Sequence, residues 1–139
     1  MKNLFLIVIG FVVMNSASAL ACSCAQPLSP LESLKQATAV FSGRVTNITE
    51  TSEPSFLRKR ITIAIDKKWK GIPWINEVKV STAGNGAACG VHFVQGESYL
   101  IYSFLNGEGI LTTNLCSRTK PLSQAQEDLK DLGPGETDN

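Results

Sequence analysis

The chain has little of what most catalytic sites require. Its 139 residues include one histidine, His92, and two methionines. The sequence contains neither a His-Glu zinc motif nor a glycine-rich phosphate-binding loop. A lone histidine outside such a motif is more often a surface or structural residue than a catalytic base. The sequence therefore does not predict an enzyme.

An excess of charge of either sign is also missing. The chain has 13 Lys plus Arg and 12 Asp plus Glu. A nearly neutral protein is not expected to bind nucleic acid or an anionic membrane. The basic residues 58–60 begin a predicted strand, where charges protect against edge pairing, and an acidic partner for them is the alternative.

No apolar run is long enough to span a bilayer, which takes about 20 residues. The longest lies at the start, where residues 4–14 are apolar apart from one glycine. Lys2 precedes this run, and residues 19–21 form an A-x-A cleavage site. We therefore expect a signal peptide over residues 1–21 and a secreted or periplasmic mature chain that starts at Cys22.

A second interpretation of the same residues stays open. Small residues before a cysteine also resemble a lipobox, in which the cysteine is lipidated before cleavage. A typical lipobox has leucine three residues before the cysteine, whereas this chain has Ala19 there and Leu20 next. The unlipidated form is therefore preferred, and the alternative is a membrane-anchored lipoprotein attached at Cys22.

Four cysteines, an even number, favour disulfides in an exported domain. A bond between Cys22 and Cys24 would enclose one residue and is strained. The other two pairings both attach the N-terminal segment to the distant Cys89 and Cys116, and each long loop closed is worth about 4 kcal/mol. A metal site is disfavoured because Cys-x-Cys lacks the usual spacing of a zinc knuckle.

The sequence predicts a helix at each end of the mature chain. Ser29 is an N-cap followed by proline, which starts a helix over residues 30–37. The second helix ends before Gly133, and residues 134–139 are expected to be a disordered tail. The apolar stripe of the second helix consists of Leu122, Ala125, Leu129 and Leu132.

Five strands are predicted between the helices. Gly43 in the first strand marks a bulge or bend. Ile61, Ile63 and Ile65 share one face of the second, and the fourth is apolar on both faces and therefore central. The predicted strands cover residues 39–46, 56–69, 74–81, 98–105 and 109–115.

The segments between the strands complete the predicted fold. Residues 47–54 are polar and predicted to form a turn, and residues 83–90 are a small-residue loop that is held by Cys89. Five strands with a bent first strand suggest a mainly β fold, a small OB-type barrel. We expect it to form one domain over residues 22–133.

Three segments together resemble the N-terminal domain of the tissue inhibitors of metalloproteinases, within the netrin-like superfamily. The mature chain begins Cys22-Ser23-Cys24, residues 88–90 read ACG, and residues 111–117 read LTTNLCS. These segments occur in the family's order. The chain is identified as a single-domain, bacterial-type member that lacks the third disulfide of the animal domain.

This resemblance implies disulfides between Cys22 and Cys89 and between Cys24 and Cys116. It implies that a zinc metalloendopeptidase is the partner, with the α-amine and carbonyl oxygen of Cys22 on its catalytic zinc. No cofactor is implied, and we expect a monomer. The implied contact surface, here called the N-terminal ridge, consists of Cys22, Ser23, Cys24, Ala25, Gln26, Ala87 and Ala88.

The sequence is also compatible with other functions. A netrin-like or OB-fold interaction module without inhibitory activity is the main alternative, since fold does not determine function. A redox role for Cys-Ser-Cys would require open disulfides. An oligosaccharide or single-strand binder is disfavoured because Trp69, Trp74 and Tyr102 form no stripe with basic residues.

Overall fold

The computed structural model describes residues 22–53, 56–73 and 75–137. The signal peptide predicted at residues 1–21 lies outside the described residues. In these three ranges, no helix is long and apolar enough to cross a membrane. The elements described there are α1 (Pro30–Gln36), β1 (Ala39–Glu53), β2 (Phe56–Lys70), β3 (Glu77–Ala83), β4 (Ser98–Leu105), β5 (Leu111–Thr112), β6 (Lys120–Pro121) and α2 (Gln126–Leu132).

Five of the described strands close into a barrel in the order β1–β2–β3–β5–β4, and β4 pairs again with β1. The long β1–β2 hairpin is antiparallel. β3 pairs with β5 in parallel, through Ser81 and Thr112. β6 adds to the outer edge of β4. The predicted five-stranded barrel with a helix at each end is confirmed.

The central position predicted for the fourth strand is also confirmed, because β4 is buried on both faces. Tyr99 and Ile101 face the barrel interior, together with Ile61, Ile63 and Val80. Leu100 and Tyr102 face outward into a second apolar cluster, which the helices cover. The predicted α2 stripe packs there; the helical members of this cluster include Leu34, Leu129 and Leu132.

Helix α1 starts where the sequence predicts. The Ser29 hydroxyl accepts a hydrogen bond from the Glu32 amide (3.3 Å), and the Glu32 carboxylate accepts one from the Ser29 amide (3.1 Å). This capping box satisfies two backbone amides at the start of the helix. The hydrogen bond from Ser29 also lowers the pKa of Glu32.

A register shift in β1 confirms the bend expected at Gly43. The pairing of β1 with β2 shifts between Ser42 and Gly43. A Cβ atom at Gly43 would collide with the carbonyl oxygen of Ala64 on β2. Glycine therefore allows the two strands to approach closely while β1 curves to meet both β2 and β4.

The turn predicted over residues 47–54 is wrong. β1 continues to Glu53 and pairs with β2 as far as Phe56. Apart from half-buried Ile48, residues 46–51 are exposed, so this end of the hairpin projects from the barrel into solvent. The polar composition of the segment reflects exposure on both faces and not a change of direction.

The fifth strand is shorter than predicted. It covers Leu111–Thr112 instead of residues 109–115. The Thr113 hydroxyl donates to the carbonyl oxygen of Tyr102 (2.9 Å), and the Asn114 side chain accepts from the Cys116 amide (2.8 Å). These side-chain hydrogen bonds turn the chain away from the sheet.

The predicted boundaries at residues 22–133 and 134–139 stay predictions. Within the described part of the C-terminal segment, Glu136 exchanges two backbone hydrogen bonds with Lys68 (2.7 and 2.9 Å). The Trp69 indole donates to the carbonyl oxygen of Gly133 (3.0 Å). The chain after α2 therefore lies along β2 as far as Glu136.

Candidate functional site

Two disulfides attach the N-terminal segment to the barrel. Cys22 is bonded to Cys89 and Cys24 to Cys116, with Cα atoms 5.0 and 5.3 Å apart. This is the pairing that the family resemblance implies. The described residues include all four cysteines and contain no free thiol. In this state neither a nucleophilic cysteine nor an open redox pair is present.

Cys89 and Cys116 come together because β3 and β5 are parallel neighbours. The segments that follow parallel strands leave the sheet at the same end. Here the Thr113 amide donates to the carbonyl oxygen of Ser81 (3.0 Å), and the Leu115 amide donates to that of Cys89 (2.9 Å). These backbone hydrogen bonds therefore join the two segments independently of the disulfides.

The segment after β3 forms a compact turn that presents Ala87 and Ala88. A single 3₁₀ turn covers Gly86–Ala88, and the Asn85 side chain caps it by accepting from the Ala88 amide (2.9 Å). Cys89 follows in the left-handed region at φ 62°. That conformation is uncommon for a residue with a side chain, and it directs the chain back toward the barrel.

Buried hydroxyl groups support the segment that carries Cys116. The Thr113 hydroxyl lies 2.8 Å from that of Ser117 and 2.6 Å from that of Thr119. The hydroxyl of Thr119 in turn accepts from the Tyr102 amide of β4 (3.0 Å). This polar cluster fixes Cys116 to the central strand and, through the disulfide, fixes Cys24 as well.

The structure brings the predicted residues of the N-terminal ridge to one end of the barrel. Cys22 is half-buried, whereas residues 23–26 and 86–88 are exposed. The segments 22–28, 83–90 and 113–117 contain no charged side chain. The ridge is therefore a neutral, mostly exposed surface with small side chains.

Leu115 belongs to this surface, although the sequence analysis placed it inside a strand. It is 48% exposed. Its amide donates to the carbonyl oxygen of Cys89 and Cys116 follows it in the chain, so its backbone lies beside both bridges. The sequence signal that marks it is its position directly before Cys116.

The disulfide sulfurs do not form a metal site in this state. The Sγ atoms of Cys22, Cys89 and Cys116 lie within 4.8 Å of one another. In the described part of the chain they form the one group of three or more His, Cys, Asp and Glu residues with the spacing of a metal site. Because all three are in disulfides, they offer no thiolate to a metal.

A buried charge cluster lies between α2 and the Cys116 segment, and the sequence analysis missed it. The Asp128 carboxylate is fully buried. It accepts hydrogen bonds from Arg118 Nε (2.7 Å) and Nη2 (2.8 Å), from Lys120 Nζ (2.8 Å) and from the Tyr102 hydroxyl (2.9 Å). Arg118 also donates from Nη1 to the Leu28 carbonyl oxygen (2.8 Å), so the cluster reaches the N-terminal segment.

The pKa values of this cluster favour its charged form. Burial disfavours a charged Asp128, but hydrogen bonds from Arg118, Lys120 and Tyr102 outweigh it and lower its pKa to about 2. The hydrogen bond to Asp128 raises the pKa of Arg118. Burial, and then the contact with Asp128, raise the pKa of Tyr102. The ion pairs therefore persist at every pH near neutrality.

The fold is a closed barrel with two flanking helices and an N-terminal segment attached by two disulfides. A family model described as Tissue inhibitor of metalloproteinase matches residues 20–130. The chain therefore belongs to that family. A search of the curated proteins found no significant match.

Family membership also indicates the broad class of function. Members bind metalloproteinases and are inhibitors, not enzymes, which confirms that this chain is not an enzyme. They are secreted proteins. Membership suggests a role as a metalloproteinase inhibitor.

Proposed function

We propose that the mature chain starts at Cys22 and inhibits a zinc metalloendopeptidase through the backbone of that residue. The α-amine and carbonyl oxygen of Cys22 bind the catalytic zinc of the protease. Ser23 enters the pocket next to the zinc, and Ala25 and Gln26 continue along the cleft. Ala87 and Ala88 form the second edge of the contact.

The coordination chemistry supports this arrangement. The catalytic zinc of a protease has three protein ligands and an open position that holds water. The amine and carbonyl of one residue are separated by a single Cα, so together they form a five-membered chelate ring. An α-amine has a pKa of roughly 7.7–8.0, which leaves a lone pair available near neutral pH. The two ligands displace the zinc-bound water that would attack a peptide bond, so the inhibitor is not cleaved there.

The observation that carries the proposal is the pair of disulfides on either side of Ser23. Cys22 and Cys24 are attached to two segments that are themselves hydrogen bonded to each other. The zinc-binding residue therefore loses little freedom on association, and preorganisation of this kind increases affinity. The absence of charged side chains from the ridge segments suits a contact that excludes water.

Proteolytic processing is part of the proposal. The α-amine exists only after residues 1–21 are removed, so we propose that they are a signal peptide. The mature domain covers residues 22–133, is secreted or periplasmic, and acts as a monomer. An acyl group on the α-amine of Cys22 would block it, and a lipid on the sulfur would take the place of the disulfide to Cys89.

The test compares the authentic mature chain with a variant that carries one additional alanine before Cys22. The addition moves the α-amine one residue away and replaces it at Cys22 by an amide. We expect inhibition of a panel of zinc endopeptidases to fall by about 100-fold, equivalent to about 2.7 kcal/mol. One alanine added after Asn139 is the matched control, and we expect it to inhibit like the authentic chain.

Equal inhibition by the authentic and N-terminally extended chains would contradict zinc binding by the amine. If neither chain inhibits any protease, the interaction module without inhibitory activity is the better interpretation. Mass spectrometry of the native mature protein provides a second check. A lipid on Cys22 would exclude chelation and support the lipoprotein.

A further inference from the structure

Residues 25–28 connect the second disulfide to α1 and lie on the surface. All four are exposed. Cys24 fixes one end through its bond to Cys116, and the capping box at Ser29 fixes the other. Among the residues that the structure describes, the hydrogen bond to Leu28 is the one that reaches this connection.

That hydrogen bond comes from Arg118, whose guanidinium has donors pointing in two directions. Nε and Nη2 bind the Asp128 carboxylate, and Nη1 binds the Leu28 carbonyl oxygen. Its side chain is 11% exposed. A planar guanidinium bound in this two-pronged way has one orientation, so its Nη1 donors have a fixed direction.

The backbone at Arg118 is also unusual. It adopts φ 67°, the left-handed region that favours glycine. An arginine in this conformation is disfavoured by about 1 kcal/mol or more relative to glycine. The side chain that offsets this strain is attached to α2 on one side and to the N-terminal segment on the other.

We infer that Arg118 is a positioning residue for the N-terminal ridge. Asp128 on α2 orients its guanidinium, and the guanidinium holds the Leu28 carbonyl so that Ala25 and Gln26 keep one direction after Cys24. Without it, the disulfide at Cys24 and the capping box at Ser29 are the remaining attachments of residues 25–28 among the hydrogen bonds and disulfides of the described residues. The effect on inhibition rests on the function proposed above, whereas the effect on the order of the ridge does not.

Lys120 offers a matched comparison. It binds the same carboxylate as Arg118 (2.8 Å) but makes no hydrogen bond to residues 22–28. The variants Arg118→Met and Lys120→Met each remove one cation from Asp128. Both variants should lower the stability of the domain, but only Arg118→Met should reduce the order of the N-terminal ridge.

The experiment measures two quantities for each mature variant. The first is the NMR order parameters of the Gln26 and Leu28 amides. The second is the inhibition constant toward a zinc endopeptidase. We expect Arg118→Met to lower the order parameters of both amides and to weaken inhibition about tenfold, through lost preorganisation. We expect Lys120→Met to leave the amides and the inhibition constant unchanged.

Arg118→Lys separates positioning from charge. Its single ammonium nitrogen retains the ion pair with Asp128 but cannot also reach the Leu28 carbonyl. We expect it to restore the urea midpoint that Arg118→Met lowers, without restoring the order of Gln26 and Leu28. If Arg118→Met does not fold, Arg118→Lys is compared with Lys120→Met in its place.

Unchanged order of Gln26 and Leu28 in the Arg118 variants would overturn the inference. So would loosened amides with unchanged inhibition, because the ridge would then not need this support. If the authentic chain inhibits nothing, the proposed function fails. In that case the amide measurements still decide whether Arg118 orders the ridge.

Discussion

Cys22 contributes to the ridge in two separate ways. Its sulfur attaches the N-terminal segment to Cys89, and its backbone carries the two atoms that we propose bind zinc. The first role requires only a cysteine and an oxidising compartment. The second requires cleavage directly before this residue, so the sulfur can be in place while the inhibitor is still inactive.

Ser23 is the side chain that we expect to be nearest the zinc in the complex. It is exposed in the free protein. Ser23→Arg should therefore leave the unfolding free energy within about 0.5 kcal/mol of wild type while reducing inhibition at least tenfold. Ser123→Arg, at an exposed serine outside the ridge, is the control. Comparable inhibition by both variants would remove Ser23 from the contact.

Asp128 should make the stability of the domain depend on pH in acid. Its pKa in the folded protein, about 2, lies below the ordinary value of 3.8. The charged carboxylate therefore contributes stability above about pH 4, and the contribution is lost as the pH falls toward 2. A shift of this size corresponds to about 2 kcal/mol.

Urea unfolding between pH 2 and pH 7 provides the measurement. The difference in stability between wild type and Asp128→Asn should be largest near neutrality and shrink in acid. Asp131→Asn, at an exposed aspartate of the same helix, should retain the wild-type profile. A difference for Asp128→Asn that does not change with pH would show that its ion pairs do not stabilise the fold.

Single residues differed in how well the sequence predicted them. The cysteines were identifiable because their number, their Cys-x-Cys spacing and the predicted cleavage site pointed to the same segment. Arg118 and Asp128 were not, because an arginine in a connector and an aspartate in a helix are ordinary surface residues in most sequences. Only the packing of α2 against β4 buries the carboxylate and shows what it binds.

At the scale of elements, the turn after β3 determines how far Ala87 and Ala88 project. Gly90 ends this turn where two backbone segments meet. A Cβ atom there would collide with the carbonyl of Ala83 and lie 2.8 Å from the carbonyl oxygen of Asn85. A single methyl group added at Gly90 should therefore displace the backbone of this turn.

Gly90→Ala should destabilise the domain by about 1–3 kcal/mol, because the neighbouring backbone must move. Gly86→Ala, four residues earlier in the same turn, adds the same methyl group where no atom lies within 4 Å. It should change stability by no more than about 0.5 kcal/mol. Thermal unfolding of both variants is the measurement, and equal effects would contradict the close approach at Gly90.

Among the elements, period-2 alternation and the helical apolar stripe predicted which side chains are buried. Polar composition wrongly predicted a turn. Ile61, Ile63 and the leucines of α2 face the clusters that their spacing predicts. The polar residues 47–53 form strand because hydrogen bonding to β2 needs no buried face. The parallel pairing of β3 with β5, which brings Cys89 to Cys116, leaves no local signal in the sequence.

For the molecule as a whole, one exposed segment is attached at three residues, Cys89, Cys116 and Arg118. The double variant Cys24→Ser/Cys116→Ser keeps the Cys22–Cys89 bridge and the atoms proposed to bind zinc. We expect its unfolding free energy to fall by about 2–5 kcal/mol.

Inhibition by the double variant should weaken as well. It is measured at a temperature where near-UV circular dichroism shows that the variant is folded. The reason is that the ridge after Cys22 has lost one of its anchors. A folded variant that inhibits like wild type would show that the Cys24–Cys116 bridge serves stability alone.

The most direct test of zinc binding by Cys22 observes the metal itself. A zinc endopeptidase that the mature chain inhibits is loaded with cobalt(II), whose visible spectrum reports the number and type of its ligands. The authentic chain should change that spectrum at one equivalent, whereas a chain with a carbamylated α-amine should not. Identical spectra with the authentic and carbamylated chains would contradict the proposal that the amine of Cys22 binds the catalytic metal.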